Sequence, residues 1–89
     1  MKLTRQSVAH KIIDYLHHRI TLSELVNWAE MSMMEAEFEE KDYDILRDVV
    51  GCLGLADVKA FGITWEDIEN FLRRLGYRVN LKVTEIKAV

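Results

Sequence analysis

Two stretches of the chain open with the same grammar, and between them they commit most of the fold to helix. Ile20-Thr-Leu-Ser-Glu-Leu-Val-Asn-Trp28 and Ile63-Thr-Trp-Glu-Asp-Ile-Glu-Asn-Phe71 each set a threonine after an apolar residue, with a carboxylate three positions on and a second apolar residue after that. This is a capping box inside a hydrophobic staple. The threonine oxygen accepts from a backbone N–H in the first turn, and the carboxylate accepts from the threonine's own N–H. Ile20 with Leu25, and Ile63 with Ile68, are the staple pairs. An alignment of nine residues is too short to define a duplicated unit. The same capping physics explains the likeness.

The first start opens the stretch that reads as the central helix, Thr21–Phe38. At about 100° per residue, Leu22, Leu25, Val26, Ala29, Met33 and Ala36 fall on one stripe, widened by Trp28 and Ser32. Met31, Met34 and Phe38 fall together on the opposite face. Apolar residues on two faces predict a helix sandwiched between neighbours. The alternative is an open, adaptable patch of methionine and aromatic side chains suited to a partner. The helix is expected to end near Glu39 to Lys41, inside the acidic stretch Glu35–Asp44, with no glycine marking the stop.

Three further helices follow from spacing. Thr4–His18 carries Val8, Ile12, Tyr15 and Leu16 inward, with Leu3 and Val8 as staple residues and Ser7 where a capping box prefers Glu. Its link to the central helix, Arg19–Ile20, is short enough for a hairpin or a sharp corner. Tyr43–Leu53 carries Ile45, Leu46, Val49, Val50 and Leu53, with Asp42 as expected cap. Gly54 is expected as its left-handed stop, with Leu55 folding back on Val50. Leu55–Gly62 reads as a connector turn through Leu55, Val58 and Phe61. Trp65–Leu75 turns Trp65, Ile68, Leu72 and Leu75 inward and ends at Gly76, with Tyr77 folding back on Leu72.

After Gly76 the apolar period drops from 3.6 to 2. Tyr77, Val79, Leu81 and Val83 alternate with Arg78, Asn80, Lys82 and Thr84, the pattern of a half-buried strand. Met1–Leu3 is the only other candidate strand. A lone strand leaves much of its backbone without partners. Its first expected partner is the same strand of a second copy, then the chain's own helices, then a foreign chain. The expected fold is therefore all-α: a small four-helix bundle, residues 1–89 as one domain, with a connector turn and a single C-terminal β-strand at 77–84. The expected core is Val8, Ile12, Leu16, Leu22, Leu25, Val26, Ala29, Met33, Leu46, Val49, Val50, Leu53, Ile68 and Leu72, with Trp28, Trp65 and Phe61 filling gaps.

Charge is uneven along the 89 residues, whose net charge is −3. Residues 35–48 hold seven acidic and two basic groups, whereas residues 73–89 hold five basic and one acidic. Such ends attract each other, within one chain or between two. No stretch approaches the roughly 20 apolar residues that span a bilayer, and the start of the sequence lacks a secretory apolar region. With one cysteine, no internal disulfide forms and a cytoplasmic location is expected.

The sequence offers little chemistry. His10, Asp14 and His18 stand one turn apart, with His17 nearby, but three ligands over two turns converge poorly on one ion and no HExxH pattern occurs. No cofactor is expected. The carboxylates of Glu35–Asp44 lack the framed, partly dry site that acid–base catalysis needs. Cys52 reads as a buried, inert thiol. No nucleophile elbow or triad motif appears, so no catalytic residue and no enzyme activity are expected. Arg73, Arg74, Arg78 and Lys82 form a basic end that would serve nucleic acid as an alternative, against an acidic whole. The leading expectation is a protein–protein interaction module, self-associating or heterologous. Met31, Met34 and Phe38 would be its apolar anchors, Glu35, Glu39 and Asp42 its charged rim, and Tyr77, Val79 and Leu81 its strand edge.

Overall fold

The computed structural model describes residues 2–58, 62–80 and 83–86. The order is β1 (Lys2–Leu3), α1 (Arg5–Leu16), α2 (Leu22–Glu35), β2 (Glu37–Phe38), a 3-10 turn (Glu40–Asp42), α3 (Tyr43–Leu53) and α4 (Trp65–Arg74). The molecule is mostly helical, with one small parallel two-stranded sheet.

Each of α1, α2 and α4 begins in a capping box. At Thr21 and Glu24 the two reciprocal bonds are 2.9 and 3.1 Å. At Thr64 and Asp67 they are 3.0 and 3.1 Å. At the start of α1, Ser7 does the work expected of a glutamate: its Oγ accepts from the Thr4 N–H at 2.8 Å, while the Ser7 N–H donates to Thr4 Oγ1 at 3.1 Å. α3 starts without such a cap. Asp42 makes no capping bond; its carboxylate instead meets Arg5 at 3.2 Å.

Two helices end in Schellman motifs. After α4, the Gly76 N–H donates to the Arg73 carbonyl at 3.0 Å and the Tyr77 N–H to the Leu72 carbonyl at 2.8 Å, with Gly76 at φ +95°, as expected. After α1 the same pair of bonds forms without a glycine. The His18 N–H donates to Tyr15 and the Arg19 N–H to Asp14, with His18 at φ +62°. The apolar contact that usually closes this motif is replaced by an ion pair, Arg19 Nη1 to Asp14 Oδ1 at 3.3 Å. The expected left-handed stop at Gly54 does not form. Gly54 is right-handed, at φ −65° and ψ −16°, and the chain runs on into turns. Leu55 is accordingly exposed, not folded back on Val50.

α2 ends at Glu35, four residues or more before the expected stop near Glu39 to Lys41. Ala36 turns to extended geometry (φ −82°, ψ 150°), and Glu37 and Phe38 pair in parallel with Lys2 and Leu3. Carboxylates at 35, 37, 39 and 40 oppose the negative end of a helix dipole. Leaving the helix also turns Phe38 toward the core, where its ring meets Tyr43 edge-on at 5.8 Å. The Glu39 N–H then donates to the Leu3 carbonyl at 2.9 Å, extending the pairing by one bond.

The centre of the fold is α1, not α2. α1 packs against each of the other three helices, and α2 packs most closely on α3. Val8, Ala9 and Ile12 of α1 are wholly buried with Leu25, Val26 and Ala29 of α2, Leu46, Val49, Val50 and Leu53 of α3, and Ile68, Phe71 and Leu72 of α4. Leu3 and Leu75 complete this core. Four expected core residues depart from expectation. Met33 and Trp65 are exposed, and Leu16 and Leu22 are only half-buried. Met33 lies at the α2–α3 seam, where Gly51 offers no side chain to pack on it. Phe61 lies outside the described residues.

The expected strand at 77–84 does not pair among its described residues. Tyr77 and Val79 are half-buried against the core, while Arg78 and Asn80 are exposed. The alternation in sequence is realised as alternating burial without a hydrogen-bonded ladder. Leu81 and Lys82 lie outside the described residues.

Candidate binding groove

α3 and α4 do not pack tightly along their length. Between them lies a hollow of about 330 Å³ lined by Asp48, Cys52 and Leu55 on one side and Ile63, Asp67, Asn70, Phe71 and Arg74 on the other. A second, shallower hollow of about 480 Å³ lies between α2 and α3, lined by Met33, Asp44, Arg47, Asp48, Gly51, Cys52 and Leu55. The two share Asp48, Cys52 and Leu55, so they form one groove running across the outer face of α3.

Its shape follows from small residues on that face. The inward stripe of α3 ends at Leu46, Val49, Val50 and Leu53, leaving Asp48, Gly51 and Cys52 outward. A side chain at Gly51 would touch only the Met33 methyl, at 4.0 Å, so the glycine leaves open space instead of serving close helix contact. Arg74 Nη1 meets Asp48 Oδ2 at 2.6 Å, a clasp from α4 to α3 across the groove. Cys52 is exposed, correcting its expected burial. Its thiol pKa is raised, first by partial desolvation between the groove walls, then by Asp48 and Asp67, with Arg74 opposing. The raised pKa weakens it as a nucleophile. The groove is apolar-floored with a mixed rim: Asp44, Asp48 and Asp67 against Arg47 and Arg74.

The residues singled out in sequence are distributed as follows. Met31 (55% exposed) and Met34 (78% exposed) stand open on α2, so this helix is not sandwiched. Phe38 has left the helix and packs on the core, which breaks the expected cluster of three. Glu35 closes α2 on its exposed side; Glu39 pairs with Lys41 at 3.7 Å and Asp42 with Arg5. Tyr77 and Val79 are half-buried. Of the basic end, Arg73 pairs with Glu69 at 3.4 Å and Arg74 with Asp48, while Arg78 is exposed. Arg73 and Arg78 line one hollow with Tyr77 and Glu69, and Lys82 lies outside the described residues. His10 lies on the exposed side of α1, Asp14 is engaged by Arg19, and His18 has left the helix, so the three do not share a helical face. Among the described residues, no group of three potential metal ligands converges. No described helix is long and apolar enough to cross a membrane.

The groove was not visible in sequence. Met33 read as core and Cys52 as buried because each continues an apolar stripe. Only Gly51, an uncompensated weak point in a helix, hinted at an unfilled face. Comparison of the chain with protein-family models, curated proteins and solved structures finds no match.

Proposed function

We propose that this chain is a non-enzymatic protein–protein interaction module, a small opened helical bundle that receives a partner in the groove over α3. The observation that carries this reading is a pair of exposed apolar side chains in the groove itself, Met33 and Leu55, with Met31 and Met34 exposed elsewhere on α2. Flexible methionines beside a shallow apolar floor suit an adaptable contact. Carboxylates and arginines around it supply a polar rim. The weakened nucleophilicity of Cys52 and the paired state of Asp48 and Arg74 fit recognition better than chemistry. The lone cysteine fits a cytoplasmic setting.

The test substitutes Met33→Gln and Leu55→Gln together. Both side chains are exposed, so the fold is expected to survive with a change within about 1 kcal/mol. Partner capture by the full chain, with the captured protein identified by mass spectrometry, is expected to fall at least about tenfold. Capture unchanged by the double substitution would remove the groove from the interaction.

A further inference from the structure

The occupant of the groove is the C-terminal segment of a second copy of this chain; we infer this from the segment's exposure, direction and charge. The inference rests on the groove being a binding surface, and it names the partner. Val83 and Ile86 are 84% and 92% exposed. These are branched apolar side chains, exposed on the same molecule as the apolar groove. They do not meet within one molecule. The chain reverses at Gly76, and Tyr77–Val79 then border Glu69 and Arg73 on α4. The groove is bordered by Asp67, Asn70, Phe71 and Arg74. At 100° per residue these two sets lie on opposite flanks of α4. Tyr77–Val79 thus lie on the flank of α4 away from the groove.

Charge supports a second copy. From Arg78 onward the sequence holds three basic residues and one acidic residue, and the groove's rim holds three carboxylates, Asp44, Asp48 and Asp67, against two arginines, Arg47 and Arg74. In the monomer Asp42, Glu39 and Asp48 pair with Arg5, Lys41 and Arg74. Two copies related by a two-fold axis each offer one segment and one groove, so the exchange is reciprocal and closes at the dimer. The alternation then has a purpose: Tyr77 and Val79 anchor the segment on its own core, and the exposed Val83 reaches the partner.

The test is solution mass by light scattering on the full chain from about 10 µM to about 1 mM. The wild-type chain is expected to pass from monomer to dimer over that range. A tail variant, Val83→Asp with Ile86→Asp, and a groove variant, Leu55→Asp, are each expected to weaken association at least about tenfold. An equimolar mixture of the two variants is expected to regain a heterodimer, because one intact segment and one intact groove remain to meet. A dimer indifferent to both variants, or folded variants whose mixture stays monomeric, would overturn the assignment. So would a wild-type monomer at about 1 mM, an outcome that leaves capture of another protein by the groove intact. If Leu55→Asp fails to fold, the thiol-labelling rate of Cys52 in the wild-type chain gives the same answer: it is expected to fall as concentration rises. A rate constant with concentration, or one accelerated by the tail variant without any change in mass, would show an empty or self-filled groove and overturn the second copy.

Discussion

Ser32 is the one described side chain whose polar atom is buried without a hydrogen-bond partner. It lies in the buried face of α2, wholly removed from solvent. A hydroxyl so placed forfeits its hydration and gains nothing in return, at a cost of about 1–3 kcal/mol. Ser32→Ala removes that penalty and improves helix propensity. It is expected to stabilise the fold by about 1 kcal/mol in urea unfolding, and a destabilised variant would mean that the hydroxyl has a partner in solution. His18 is the second strained residue. As a non-glycine in the left-handed region it costs about 1–2 kcal/mol, offset in part by the Schellman bonds and the Arg19–Asp14 pair. His18→Gly relieves the strain but adds freedom to the unfolded chain, and is expected to stabilise by about 0.5–1 kcal/mol. Neither residue was legible in sequence. Ser32 sat at the edge of a stripe, where periodicity does not distinguish buried from flanking. His18 was read as a helical residue because nothing in its side chain announces a positive φ.

The elements show which sequence signals are reliable. The three threonine caps were legible because a cap is local: threonine, the residue three positions on, and the backbone between them suffice. Gly76 was legible for the same reason, and α3 occupies its expected span. The end of α2 was not legible, since it depends on a contact with residues more than thirty positions away. Phe38 leaves the helix because β1 waits beside it, and no window around Phe38 contains that information. The glycines divide on the same line. Gly51 is helical and a methyl there meets only the Met33 methyl at 4.0 Å, so Gly51→Ala is expected to stabilise by about 0.5–1 kcal/mol. Gly76 is left-handed and a methyl there would come within 3.2 Å of Arg5 Nη1, so Gly76→Ala is expected to cost about 1–2 kcal/mol. Thermal or denaturant unfolding of the two variants reads the contrast, and equal effects would contradict the assigned backbone geometry. Because Gly51 lines the groove, Gly51→Ala also narrows it, and a gain in stability with a loss of association would separate fold from function at one position.

At the scale of the molecule, the helical class and most of the core followed from periodicity, but the arrangement did not. Sequence pattern gave α2 two apolar faces and made it the apparent centre. The structure instead puts α1 against all three other helices and leaves the methionine edge of α2 open. The groove lies between α3 and α4, which the Asp48–Arg74 pair clasps across it, and inter-helix spacing of this kind leaves no mark in a periodic pattern. The segment after Gly76 has the alternation of a strand but no described ladder, which is the condition of a segment whose partner is not in the same molecule. The exposed methionines, the open groove and the exposed Val83 and Ile86 then belong to one arrangement, a reciprocal exchange between two copies. The sole cysteine sits in the groove and reports on it directly. The most direct measurement is the rate of Cys52 labelling by an uncharged thiol reagent at fixed pH, followed across protein concentration in parallel with solution mass. Reciprocal exchange predicts that Cys52 becomes protected over the same range in which the mass doubles; a doubling of mass with Cys52 left equally reactive would contradict it.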